Sequence, residues 1–211
     1  MTERFGLGIS NCRPALEVID GVERAEGLGA EIAFVAEDIG CRDAFQLLAG
    51  AAATTERIRL ATGVINPYTR NPTSVAMAVV TLDELSRGRA VLGMGSSSPH
   101  LIEEQMGIIH GPPVRVMRES AEIVRALLRG DEVTYAGERF QYQRARLQTS
   151  SEGRHVPIFF AAMGPRTLRL AGRMADGVLL NVGATAEYVT WAIAEIKRGA
   201  EQAGRDSAEI T

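Results

Sequence analysis

Four clusters of polar and glycine residues each follow an apolar run, and their placement bounds the chemistry available to the chain. Glu37-Asp38 follows Glu31 to Ala36, and Gly63 to Pro72 (GVINPYTRNP) closes the run that begins at Ile58. Gly95-Ser96-Ser97-Ser98 follows Ala90 to Met94, and Met163-Gly164-Pro165-Arg166 follows Pro157 to Ala162. Buried strands that end in polar loops leading into helices are where α/β proteins place ligands, because the carboxyl ends of parallel strands open into a crevice. The plainer alternative is that these are ordinary turns, with Asp38 a helix cap and the Gly-Ser loop without a ligand.

The elements that must position these clusters follow from periodicity. Phe5 to Ile9 is a first strand, and Pro14 to Leu28 a helix stopped by Gly29. Glu31 to Ala36 is a second strand, continuously apolar as expected of one covered on both faces. Asp43 caps a helix running to Thr55, and Ile58 to Val64 is the third strand. Asn71 then stands at an N-cap position with Pro72 at the first helical position. That helix ends at Ser86-Arg87-Gly88, where Asp83, Glu84, Arg87 and Arg89 suggest an ion-pair cluster with a Schellman-type stop. Ala90 to Met94 is strand four, and Arg115 to Arg129 is an amphipathic helix closed by Gly130. Val133 to Phe140 reads as a hairpin within an insertion spanning about residues 96–156. Pro157 to Ala162 and Gly177 to Asn181 are strands five and six, with helices to Ala175 and from Glu187 to Ala203 after them.

Six β-then-α units imply a parallel sheet with right-handed crossovers. An open doubly wound sheet and a closed barrel of eight units compete at this point. The glycine fingerprint GxGxxG of the first is absent, since Gly6-Leu7-Gly8 lacks its third glycine. Barrel closure needs eight strands and six are counted. A seventh would begin near Asp206 to Thr211, so the sequence reads as cut short while both solutions stay open. The single partial barrel domain, 1–211, without strands seven and eight, is what the resemblance given below implies. Its first and sixth strands are then expected to be unpaired edges.

Of the 211 residues, 45% are hydrophobic and 23% charged, and the net charge of −3 is spread along the chain. This is the profile of an ordinary soluble globular protein. No basic run suggests nucleic acid, and no apolar run reaches the roughly 20 residues that span a bilayer. The start, Met1 to Phe5, lacks the apolar core of a signal peptide, which makes the cytoplasm the expected compartment. His100, His110 and His155 have no metal-ligand spacing, so no metal is expected. Cys12 and Cys41, isolated from one another in sequence, are expected to stay reduced.

Taken in series, several segments resemble the bacterial-luciferase-like superfamily. They are Val35 to Asp38, Arg42 to Phe45, Gly63 to Pro72, Thr81 to Gly95, Ala161 to Arg166, and Leu170 to Asn181. Within that superfamily the chain resembles the branch that uses the deazaflavin coenzyme F420 and is similar to methylenetetrahydromethanopterin reductases. The resemblance implies a (β/α)8 TIM barrel, here with six β/α units, that binds F420 at the carboxyl ends of its strands. It implies a homodimeric oxidoreductase that transfers hydride between the deazaflavin and a small substrate. In that family the junction matching Gly63-Val64 can be a non-prolyl cis peptide that bulges against the ring. Asp38, Gly63, Val64, Ile65 and Asn66 would then meet the ring. Gly95, Ser96, Ala161, Ala162, Met163, Gly164, Pro165 and Arg166 would hold the ribityl and phosphate portion.

Two departures qualify the transfer of roles. Ile39 stands where some members have histidine, and Gly8 where the reductase has glutamate. No proton donor is therefore identified, and Asp38 is the one candidate for acid–base work. An FMN-dependent monooxygenase is the nearest alternative, and a non-catalytic paralogue pairing with a complete barrel is another. The chain alone is expected to bind the coenzyme poorly or to be part of a longer gene product.

Overall fold

The computed structural model describes residues 5–149 and 155–211; the expected start of the chain before Phe5 and part of the insertion lie outside the described residues. Six parallel strands form one curled sheet in the order β1 (Gly6–Ile9), β2 (Ile32–Val35), β3 (Arg59–Thr62), β4 (Ala90–Met94), β7 (Ile158–Ala161) and β8 (Gly177–Leu179). Helices α1 (Ala15–Gly27), α2 (Ala44–Thr54), α3 (Pro72–Leu85), α4 (Pro113–Leu128), α5 (Pro165–Met174) and α6 (Ala186–Gln202) supply the crossovers and cover the outer face. The sheet is an α/β half-barrel, and its parallel strand order is the one the alternation of elements requires.

Side-chain alternation divides each strand between two apolar layers. Leu60, Leu92, Ile158 and Phe160 pack outward with the helices. Ala61, Val91 and Phe159 form a smaller inner cluster with Ile32, Phe34 and Leu179. The period of two is that of any strand; the outer layer is buried under the helices, while Ile32, Phe34 and Leu179 of the inner layer are only partly buried.

Most boundaries are those the sequence dictates. Asp43 Oδ1 accepts from Gln46 N at 3.1 Å and Asn71 Oδ1 from Thr73 N at 2.9 Å, so both caps form. After α3 the Gly88 N–H donates to Asp83 O, with Arg87 and Gly88 at φ of 57° and 86°. Arg89, expected among ion pairs, spends its guanidinium on the carbonyl oxygens of Ala52, Thr55, Ile58 and Ser86. The insertion holds a π-helical turn (His100–Gln105) and an antiparallel hairpin of β5 (Val133–Ala136) and β6 (Gln141–Ala145). Buried Glu119 of α4 pins that hairpin by accepting from the N–H groups of Glu138, Arg139 and Phe140 at 3.0–3.1 Å.

Two expectations are corrected. Cys12 and Cys41 are joined in a disulfide, with Cα atoms 4.9 Å apart. Their separation of 29 residues hides that they lie on the loops after two adjacent parallel strands. The sixth-strand edge is also not bare along its length, because Val178 N donates to Thr211 O at 2.9 Å and Thr211 N to Asp176 O at 3.1 Å.

Candidate functional site

The carboxyl end of β3 carries the main irregularity of the sheet. Ala61 pairs with Val91 and Ile65 with Met94, so β3 advances four residues where β4 advances three. The extra residue is a bulge, and within it the Gly63–Val64 peptide bond is cis. Thr62 fills the broken ladder with its hydroxyl, which lies 2.8 Å from both the carbonyl oxygen and the amide nitrogen of Gly93. A polar residue in an apolar strand is thus a ladder substitute.

Neighbouring strands make room for the bulge. A Cβ on Gly63 would lie 2.7 Å from that of Phe34, and one on Gly93 would lie 2.0 Å from Thr62 O. At Gly95 a Cβ would stand 2.6 Å from Val64 Cγ2 and 3.3 Å from the Cβ of Ala161. Small residues at the ends of β4 and β7 therefore let the Val64 side chain lie over both strands.

Beside this bulge are two adjoining clefts. The first, about 190 Å³, is lined by Gly63, Val64, Asn66, Gly95, Ser97 and Leu101, together with Glu37, Asp38 and Ile39. The second, about 280 Å³, shares Glu37, Asp38, Ile39 and Asn66, and adds Arg70 and Met106 among others. Asp38 is exposed and its carboxylate makes no hydrogen bond to another described residue; Asp43, not Asp38, caps α2. Asn66 is buried, and its Oδ1 accepts from Tyr68 N, Thr69 N and Thr69 Oγ1. With that oxygen committed to the turn, the Asn66 amide N–H groups are what remain for a ligand.

Glu37 and Arg70 carry a role that sequence reading missed. Arg70 Nε lies 2.7 Å and Nη2 2.9 Å from the Glu37 carboxylate, and the same Nη2 reaches Asp43. Burial opposes the Arg70 charge, but the bonds to Glu37 and Asp43 outweigh it and push its pKa up. The fork ties the loop after β2 to the loop after β3. Tyr68 and His110, also unassigned from sequence, stack with ring centroids 4.4 Å apart. Tyr68 donates to Gly111 O at 3.0 Å, and His110 Nε2 lies 3.0 Å from Ser96 O, joining the insertion to the β3 and β4 loops. Burial is the main cause that pushes the Tyr68 phenol up to about 12, with Arg139 opposing. The sequence signal for these residues was only their place in polar loops, which does not separate structural from ligand roles.

The remaining expected residues divide. Ile65 is fully buried in the outer core, so its side chain faces away from the clefts. Ala162 is also buried, and its N–H donates to Leu179 O. Ser96 is half-buried beside His110, and Ala161 touches the Gly95 position. Met163 to Arg166 form the exposed start of α5, where Gly164 is the N-cap without a side-chain cap and Pro165 takes the first turn. The Arg166 side chain makes no hydrogen bond to another described residue, and neither cleft reaches it. Gly8 has open space around it, and Ile39 occupies the cleft wall. No group of three or more His, Cys, Asp or Glu residues suited to a metal occurs among the described residues.

This architecture has close relatives. The chain is 34% identical over 206 residues to a 5,10-methylenetetrahydromethanopterin reductase of Methanolobus tindarius, covering 98% of this chain and 62% of that protein. It is 34% identical over 204 residues to an F420-dependent glucose-6-phosphate dehydrogenase of Nocardia farcinica, covering 90% and 60%. The solved structure of the coenzyme F420-dependent tetrahydromethanopterin reductase from Methanopyrus kandleri superposes with a TM-score of 0.91 at 29% identity, over 98% of this chain and 63% of that one. The chain thus spans about three fifths of the length of these relatives. The sequence profile described as luciferase-like monooxygenase matches residues 4–211, and the chain belongs to that family.

Proposed function

We propose that the protein binds coenzyme F420 at the carboxyl ends of β2, β3, β4 and β7 and serves hydride transfer between that coenzyme and a small substrate. The observation that carries this reading is the bulge at Gly63–Val64, with glycine kept where any Cβ would fill the space around it. F420-dependent relatives at about a third identity support the choice of coenzyme.

Bound F420 supplies the two-electron chemistry at carbon 5 of its deazaflavin ring, and the chain supplies binding and orientation. Val64 offers an apolar surface to one face of a flat ring. The Asn66 amide can donate to a ring carbonyl, and Asp38 can accept from a ring or substrate N–H. Gly95, Ser96 and Ala161 border the side where a ribityl chain would leave. The free N–H groups at the start of α5, with Arg166, suit a phosphate. Glu37 and Arg70 hold the loops that present these groups. A homodimer belongs to the same proposal: Met77, 57% exposed on α3, borders an apolar groove of about 410 Å³ between α2 and α3.

Equilibrium binding of F420 and FMN to the product of the complete gene tests the reading. Preference for F420 supports it, whereas preference for FMN would select the monooxygenase alternative. Binding of neither would leave a non-catalytic paralogue.

A further inference from the structure

The disulfide lies in the wall of the candidate site. Cys41 lines the second cleft together with Asp38, Ile39, Asn66 and Arg70. It closes a four-residue turn: the Cys41 N–H donates to Asp38 O at 3.1 Å, and Gly40 at the third position has φ of 84°. That is the signature of a type II turn, whose hydrogen bond joins its first residue to its fourth. Asp38 is the first residue of the turn and Cys41 the fourth.

Both ends are tied to the loop after β1, and the Cys41 end carries a covalent tie in addition. Buried Asn11 holds the Asp38 end, donating to Asp38 O at 3.3 Å and accepting from Asp38 N at 3.2 Å. It also donates to Arg42 O at 2.6 Å. The crosslink to Cys12 holds the Cys41 end, and Arg42 Nη1 donates to Cys12 O at 3.0 Å. Both cysteine residues are exposed, which puts the crosslink at the surface, where thiol–disulfide exchange proceeds by attack on a sulfur. Beneath them β1 and β2 pair in register through four residues each, a contact that does not pass through the crosslink.

We propose that Cys12–Cys41 is a reducible latch, read by a dithiol reductant, that sets the position of the Asp38–Ile39 wall and so the affinity of the cleft for its coenzyme. The exchange balances simply. One thiolate of the dithiol attacks a sulfur of the pair, the protein S–S bond breaks, and the second thiol resolves the mixed disulfide. The protein gains two electrons and two protons as two cysteine thiols, and the dithiol leaves as its own disulfide. In the reduced state Asn11 still bonds Asp38 and Arg42, so the turn loses its covalent tie at Cys41 and loosens without unfolding. The part of the proposal that concerns affinity rests on the F420 reading given above.

The test uses the product of the complete gene, purified without reductant and then treated with dithiothreitol, beside a Cys12→Ser/Cys41→Ser variant. Thiol titration under denaturing conditions should find Cys12 and Cys41 unreactive before reduction and reactive after it. Amide exchange at residues 38–42 should accelerate about tenfold or more on reduction. The F420 dissociation constant should rise about three- to tenfold, the scale of re-ordering one or two side chains on binding. The double variant should show the reduced values and no response to dithiothreitol. Free thiols in the untreated protein, or exchange unchanged on reduction, would overturn the latch. Faster exchange with unchanged F420 affinity would overturn its action on the cleft. Faster exchange in a protein that binds no F420 in either state would retain the latch and remove the F420 reading instead.

Discussion

Gly95→Ala isolates the role of the space around Val64. The added methyl would stand 2.6 Å from Val64 Cγ2 and 3.3 Å from the Ala161 Cβ, both inside ordinary contact distance. Gly95 does not have the left-handed φ that would strain an alanine, so the cost is packing alone. Valine cannot fold its branch away cheaply, because its χ1 is restricted. Overpacking of this kind costs about 1–3 kcal/mol. Since Ala161 and the β4 backbone lie on one side, the relief available to Val64 is toward the cleft, where F420 is proposed to lie. If the whole penalty appears on binding, F420 affinity falls about five- to 150-fold, at roughly tenfold per 1.4 kcal/mol. The assay is an F420 titration of wild type and variant, with thermal melting run in parallel. Full-strength binding by a variant that melts with wild type would refute the argument that Gly95 keeps this space for the bulge.

Other perturbations separate the scaffold from the site. Gly93→Ala puts a Cβ 2.0 Å from Thr62 O, a backbone atom, so it should lower the melting temperature markedly, by the cost of about 1–3 kcal/mol or more. Gly172→Ala should do the same at the α5–α6 contact, where the added Cβ would sit 2.0 Å from Ile196 O, while F420 binding per folded molecule stays unchanged in a titration. Burial opposes ionisation of Glu119, but the N–H groups of Phe140, Arg139 and Glu138, with Arg118, outweigh it and hold the pKa below the ordinary 4.5. A lowered folded pKa contributes stability above the ordinary value, and that contribution is lost as pH falls through the folded one. Glu119→Gln should therefore cost about 1–3 kcal/mol at pH 7, and denaturant melts should show the gap to wild type narrowing below about pH 4.5. Sedimentation should find a dimer that Met77→Glu weakens.

How much of this was legible beforehand depended on the range of the interactions involved. The caps at Asp43 and Asn71 and the stops at Gly88 and Gly130 are local, so residue type and spacing sufficed. The six parallel strands followed from alternation, and the barrel-like curl from resemblance. What escaped notice was formed across loops. Arg70 meets Glu37 across 33 residues, Tyr68 meets Gly111 across 43, and the Cys12–Cys41 pair spans 29. Such contacts exist only because parallel strands bring their carboxyl ends side by side. Ile65 shows a finer distinction: its side chain lies on the core face, which the bulge register sets and a run of consecutive letters does not display.

The most direct measurement of the central claim is the structure of the complete gene product crystallised with F420. The account predicts the deazaflavin ring lying against Val64 at the bulge, with Asn66 and Asp38 at its polar edge. Density for the coenzyme elsewhere on the chain, with the bulge covered by protein, would contradict it.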